Sequence, residues 1–396
     1  MTNNSSLARS SRWATAVCYG GMTCLAIGAN LAPVYLTTFR DAFATVLTGE
    51  QQGRIPGVTF AAMVLGIVVS GPLADRWGAK FFAMLGLAAT SAGLCALATV
   101  TRYSGLLCAC AVMGFGGGVL DMVLSPIICA VHPQQRTKAL NWLHSFYCIG
   151  ALAVVLICAL AFHFQVSWRA IALGLNVVPL VLFLAFIPLR IPPLVHEDAE
   201  RTPVKALMTR PFFLAAVIAI TLCGATEQGM AQWLPAYAET WLGYDKTVSA
   251  LALAGFSIGM AIGRGAAGNT AHRIKTIPML LFACAGCVTC YLVACFFPVS
   301  GIALAACVTM GLAVSCLWPN TLSLIADYFP HGGASMFSIM AAGGNVGCFV
   351  TPWLIGAIAQ QSDIRWGLAS ATVCPLMLGA IVLGISHRHP AKSVSQ

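Results

Sequence analysis

Met279-Leu-Leu-Phe-Ala-Cys-Ala-Gly-Cys-Val-Thr-Cys-Tyr-Leu-Val-Ala-Cys-Phe-Phe297 decides the fold of this chain. It carries no charge, and it matches the ~20 apolar residues that take a helix across a hydrocarbon core. A membrane barrel strand would alternate polar and apolar over about ten residues. Here the run is near-continuous, as it is again around 151–161. Unpaired backbone groups cannot face lipid, so a spanning helix is the reading. Cys284, Cys287 and Cys290 repeat every third residue on this run. On one lipid-embedded helix that spacing makes no chelating loop, and they read as small polarizable packing residues.

The rest of the chain agrees. Of 396 residues only 21 are Lys or Arg and 12 are Asp or Glu, 59% are hydrophobic and 8% charged, with a mean hydropathy of +0.85. A soluble domain carries about 25% charged residues. A soluble enzyme, a nucleic-acid binder and a disordered chain are therefore excluded. No nucleophile–base pair, phosphate loop or metal set has plausible spacing, so enzyme is the weakest class and no cofactor is expected.

Gly, Pro and charge punctuation divides the sequence into twelve apolar segments: 13–39, 54–74, 80–101, 104–131, 138–163, 168–189, 211–239, 246–270, 276–296, 299–327, 333–360 and 365–386. Residues 1–12 are expected to be a polar cytoplasmic tail with no cleavable signal, and 387–396 a second one. Residues 190–210, with three acids and three prolines, read as a cytoplasmic linker between bundles at 13–189 and 211–386. Fourteen basic residues fall on the side of the termini, six on the other, and Arg264 inside a helix. The excess of Lys and Arg places both termini in the cytoplasm of a multi-pass inner-membrane protein. The net charge of +9 thus reflects topology, and no nucleic-acid partner is needed to explain it.

The halves repeat. At a constant offset of 197, Gly66, Gly71, Ala74 and Arg76 correspond to Gly263, Gly268, Ala271 and Arg273. Met113, Gly114 and Pro133 correspond to Met310, Gly311 and Pro330, and Gly150 to Gly347. Such repeats build transporters that hold a solute near the bilayer midplane between two rocking halves. The expected fold is all-α: two pseudo-symmetric six-helix bundles.

Gly71-Pro-Leu-Ala-Asp75-Arg76-Trp-Gly78-Ala-Lys80 resembles the loop signature between the second and third helices of the major facilitator superfamily. It departs at Ala79, usually basic. Glycine permits the tight turn, and Asp75 at a helix end can pair with basic groups to latch one conformation. Gly71, Asp75, Arg76 and Gly78 are the candidate latch. The second copy is degenerate, with His272 in the place of Asp75. Within the superfamily, Gly116-Gly-Gly118-Val-Leu-Asp121, Ala139-Leu-Asn141-Trp-Leu-His144-Ser-Phe146 and Glu227-Gln228-Gly-Met-Ala-Gln232-Trp233-Leu-Pro235-Ala-Tyr237 are similar to fucose-permease-type sugar symporters, a group that includes sodium-dependent glucose transporters. That resemblance implies a monosaccharide substrate, a monomer in the lipid bilayer, and a proton-binding acid at Asp121. The permeases add a first-helix acid shortly after an Asn; here Asn30 is followed by Pro33 at that place.

Ten of the twelve acids fall at loops or helix ends, which leaves Asp121 and Glu227 well inside spans. An acid at a helix centre costs about 2.5–3.5 kcal/mol on insertion scales, so each should face a cavity or a partner. Asp121 shares a face with Gly114, Gly117 and Ser125, a small and polar stripe suited to a cavity wall. Glu227 is the offset mate of Asn30 and reads as a sugar ligand, as a coupling acid, or as a buried acid that caps a neighbour. His144 is a candidate proton relay beside Asp121, being titratable near neutrality, or a plain hydrogen-bonding residue. Both acids would also accept Na⁺, which leaves H⁺ and Na⁺ open as coupling ion.

Asn141, His144 and Tyr147 share a face of the fifth helix, and Gln228 and Gln232 one of the seventh. Trp318 and Asn320 offer an aromatic platform and an amide, and Asn345 shares a face with Ser338. Amides beside an aromatic surface suit a sugar, because they supply donors, acceptors and an apolar face together. Asn30 completes the candidate substrate set. Taken singly, any of these is also interhelical glue. Trp233 and Tyr237 read as gates or, by default, as interfacial anchors, and Arg264 as a cap on a neighbouring helix. Glycines 114–118, 343, 344 and 347 are expected to let the halves pack while they rock. Two other functions stay open: proton-linked export of a drug or small metabolite, and a non-transporting sugar sensor.

Overall fold

The computed structural model of the chain describes residues 2–43, 46–132, 136–189, 191, 207–270, 275–329 and 333–388. Most of the expected linker and the end of the C-terminal tail lie outside them. Twelve helices are long and apolar enough to cross a membrane. We number them α1 (Thr2–Val34), α2 (Gly49–Trp77), α3 (Ala79–Thr99), α4 (Tyr103–Val131), α5 (Arg136–His163), α6 (Trp168–Leu175 and Val177–Phe186), α7 (Pro211–Thr240), α8 (Lys246–Thr270), α9 (Thr276–Phe296), α10 (Ser300–Val314 and Leu317–Tyr328), α11 (Gly333–Gln361) and α12 (Ile364–Ser370 and Val373–Arg388). The spans agree with the sequence reading to within a few residues at most ends. The first span differs at both ends: it stops at Val34, short of 39, with a separate short helix Leu36–Asp41 after a turn at Tyr35, and α1 already begins at Thr2, inside the expected polar tail. No Gly or Pro interrupts 2–12, so once the span nucleates the helix nothing stops its extension outward.

Local chemistry sets the ends. Thr48 caps α2 with a reciprocal capping box to Gln51. Ser167 and Asp363 accept from the Ala170 and Trp366 amides at the starts of α6 and α12. Gly78 adopts φ +85° between α2 and α3, a backbone that only glycine adopts cheaply.

Three of the spans after α1 are broken, and each of those breaks precedes a proline. Proline lacks the N–H that would bond the carbonyl four residues back, and its ring crowds that carbonyl. For Pro179, Pro319 and Pro375 those carbonyls belong to Leu175, Ser315 and Ala371. The helices stop at Leu175, Val314 and Ser370.

The chain divides into two compact units, Met1–Asp198 with Lys246–Leu251, and Ala199–Asp245 with Ala252–Gln396. In the first, α2 and α3 pack on α4, and α1 on α5. In the second, α9 packs on α10, and α7 on α11. The repeat is visible in atomic detail. A Cβ on Gly114 would overlap the Thr59 carbonyl, and a Cβ on Gly311 would overlap the Phe256 carbonyl. Both members of that pair are 197 residues apart. Similarly, Gly150 lies against Thr23 and Gly347 against Thr221. In lipid, where apolar burial gives helices no preference for each other, such close approach is what holds them. The expected role of these glycines is corrected accordingly. Gly114, Gly116 and Gly118 meet α2 and α3, and Gly343, Gly344 and Gly347 meet α7 and α10, so they pack helices within one unit.

Candidate functional site

Helix α7 is buried along almost its whole second half, from Cys223 to Ala238. Within that stretch the sequence places one acid and two amides one turn apart, and the fold links them. Gln232 Nε2 donates to Gln228 Oε1 at 2.8 Å, and Gln228 Nε2 donates to Glu227 Oε1 at 3.2 Å. The other carboxylate oxygen of Glu227 accepts from Arg264 Nη2 at 3.4 Å. Glu227 is 9% exposed, so without this partner it would be a buried charge of several kcal/mol cost.

Arg264 comes from α8, whose Gly263 lies against the Ser315 side chain with no room for a Cβ. That contact brings the guanidinium to the break in α10. There Arg264 Nε donates to the Ser315 carbonyl at 3.4 Å. Ser315 is the C-cap of the first α10 segment, so a cation meets the negative end of a helix. Both Arg264 contacts are long for charge-assisted bonds, which run about 2.7–2.9 Å. The expectation that Arg264 caps a neighbouring helix agrees with this contact. Its pairing with Glu227 is something sequence reasoning missed, because 37 residues and a loop separate the two.

Asp121 presents the opposite situation. It is half-buried on α4 and makes no hydrogen bond or ion pair with any described residue. Among the described residues no direct hydrogen bond joins Asp121 to His144, which is exposed. Gly117, on the same face of α4 as Asp121, has only Leu25 near the position of a Cβ, at 3.8 Å. Gly114, by contrast, is a packing contact against the Thr59 carbonyl.

The other candidates divide. Trp318 is half-buried, its ring filling the space over Gly344. Asn320 Nδ2 donates to Met279 Sδ at 2.9 Å. Asn345 is buried and donates to the Ala341 carbonyl of its own helix, and half-buried Asn30 does the same to Ala26. The side chains of Asn141, Asp75 and Arg76 lie outside the described residues. Of the remaining latch, Gly71 is half-buried, Gly78 makes the left-handed turn, and Lys80 Nζ donates to the Ile187 carbonyl at 2.7 Å. Trp233 and Tyr237 are not interfacial anchors. Both are buried, with Trp233 Nε1 donating to the Pro352 carbonyl at 2.9 Å and the Tyr237 hydroxyl to that of Ala294 at 2.7 Å. A buried ring whose polar tip finds a backbone acceptor is a packing element.

Twelve spanning helices in two repeated units, with titratable groups held at membrane depth, define a transporter of a small solute rather than an enzyme. The chain belongs to the Major Facilitator Superfamily, whose profile matches residues 14–332. It is similar to a Haemophilus influenzae (Rd) protein provisionally assigned to metabolite transport, 25% identical over 348 residues, 80% of this chain and 83% of the other. A Bacillus subtilis (strain 168) protein provisionally assigned to niacin/nicotinamide transport, NiaP, is 35% identical over 112 residues, 28% of each chain. Among solved structures, a bacterial homolog of the human lysosomal transporter Spinster, inward-facing and occupied, superposes with a TM-score of 0.77. It is 15% identical and matches 94% of this chain and 96% of that one, which shows the shared fold.

Proposed function

We propose that the protein imports a monosaccharide by alternating access across the inner membrane, both termini cytoplasmic, and that proton binding at Asp121 drives it. The observation that carries this reading is the unequal state of the two membrane acids. Glu227 is neutralised by Arg264 and continues into the Gln228–Gln232 amide chain, a net-neutral run of donors and acceptors suited to an uncharged polyol. Asp121 has no described partner, and an acid at membrane depth with none gains most from taking up a proton. Trp318 and Asn320 on α10 supply an aromatic face and a third amide. The Bacillus relative favours a second reading, a small nitrogen-ring carboxylate or amide.

Uptake into proteoliposomes across a panel of hexoses and deoxyhexoses, with nicotinate and nicotinamide beside them, tests both under imposed pH or Na⁺ gradients. Accumulation of a hexose with an inward proton gradient is expected. Asp121→Asn should abolish accumulation and spare exchange of labelled for unlabelled sugar. Accumulation that persists in that variant removes Asp121 as the coupling site. Accumulation driven only by Na⁺ replaces the ion. Accumulation of nicotinate with no response to any hexose replaces the solute class.

A further inference from the structure

Three features of the second unit meet at one point. Pro319 cannot donate to the Ser315 carbonyl, and α10 breaks there, between Val314 and Leu317. Arg264 supplies a donor to that same carbonyl. The same guanidinium, through its Nη2, holds Glu227, which lies at the end of the amide chain on α7. At the break in α12 no such arrangement is present among the described contacts. The Ala371 carbonyl in α12 is taken by the Cys374 amide at 3.0 Å, an ordinary tightened turn.

We propose that Arg264 is a positioning residue that couples Glu227 to the hinge of α10. While Glu227 is charged and holds the guanidinium through Nη2, the neighbouring Nε–H pins the end of the first α10 segment. When a solute hydroxyl or a proton engages the carboxylate, the guanidinium is released from that fixed position and the segment Leu317–Tyr328 gains freedom to swing. A planar fork with two fixed donors used separately can make this link, and an ammonium, a single point of charge, cannot hold both ends in the same way. The inference rests on the reading of Glu227 as part of the solute site, but its test needs no solute.

Amide hydrogen exchange of the purified full chain reads the hinge directly, because local opening governs the exchange of each segment. In Arg264→Gln the peptides covering 311–328 should exchange about tenfold faster than wild type, the size of one lost charge-assisted hydrogen bond. Glu227→Gln should move the same peptides in the same direction. Pro319→Ala restores the missing donor to Ser315, so α10 should exchange more slowly and Arg264→Gln should have no further effect in that background. A merely structural arginine would loosen α7, α8 and α9 as well, whether or not Pro319 is present. Unchanged exchange at 311–328 in Arg264→Gln, or an equal increase in the Pro319→Ala background, overturns the proposal. If Arg264→Gln does not yield folded protein, Glu227→Gln with and without Pro319→Ala carries the same comparison and the same two outcomes. Failure of every sugar in the uptake assay would sink the solute reading while leaving this result standing.

Discussion

In the first unit, α4 runs unbroken from Tyr103 to Val131, past Pro126, and carries an acid with no described partner. In the second, the equivalent helix α10 breaks four residues before Pro319, and the acid stands on α7, held by a guanidinium that also grips the break. Yet Gly114 on α4 and Gly311 on α10 approach equivalent carbonyls, at Thr59 and Phe256. The scaffold has kept its symmetry and the polar chemistry has lost it. The physical reason is that a backbone carbonyl occupying the place of a Cβ tolerates no substitution, whereas a polar residue lining an opening has neighbours that can adjust.

The largest effect should follow from breaking the part that is shared. Gly114→Leu and Gly311→Leu each force apart a helix pair in contact through its backbones, and overpacking of even a methylene or two costs about 1–3 kcal/mol. A full Leu against a carbonyl should prevent recovery of monodisperse protein from either variant. Size-exclusion yield and the thermal midpoint in detergent check this. Tolerance at one position and collapse at the other would show that the two helix pairs are not equivalent.

Next in size is the part that differs. Glu227→Gln leaves the Arg264 guanidinium without its carboxylate; with side-chain exposures of 12% and 30% the loss should be about 1–3 kcal/mol, below that of a fully buried pair. The double variant Glu227→Gln/Arg264→Gln should recover part of it, since the unpaired charge is gone. Asp121→Asn should cost no stability and bring a small gain, because it removes an uncompensated acid from membrane depth. Thermal midpoints of the four proteins decide the matter. Equal destabilisation by Glu227→Gln and Asp121→Asn would mean that Asp121 also has a partner, and the contrast between the units would fall.

How far these features could be read beforehand follows from their range along the chain. Helix spans and the repeat register are local or periodic, so Met279–Phe297 and the 197-residue offset were legible. The helix breaks were legible in principle, because Pro179, Pro319 and Pro375 each name a carbonyl four residues back. The sequence reading nonetheless treated α6, α10 and α12 as continuous, since hydropathy is blind to a lost backbone bond. The Glu227–Arg264 contact and the Trp233–Pro352 bond join residues 37 and 119 apart. Their partners are chosen by packing, so a single sequence carries no mark of them. The burial of Trp233 and Tyr237 shows the same limit: an aromatic near a helix end has the composition of an anchor, and only the neighbouring helices make it core.

The smallest effect is expected at the position where the repeat sets the two units side by side. Asn30 on α1 is the offset mate of Glu227, but its amide only donates back to the Ala26 carbonyl one turn earlier, at 2.9 Å. That carbonyl lies within α1, where the helix ladder already offers it an N–H, so the side-chain bond is an addition. Asn30→Ala should therefore change stability by no more than about 0.6 kcal/mol, the average worth of a side-chain hydrogen bond between membrane helices. In the uptake assay its effect should fall on KM and leave the maximal rate near that of wild type, since a solute ligand on α1 is remote in sequence from both the α10 hinge and Asp121. A midpoint drop as large as that of Glu227→Gln would instead mean that Asn30 anchors the first unit as Glu227 anchors the second. The symmetry lost in the charges would then persist in the hydrogen bonds.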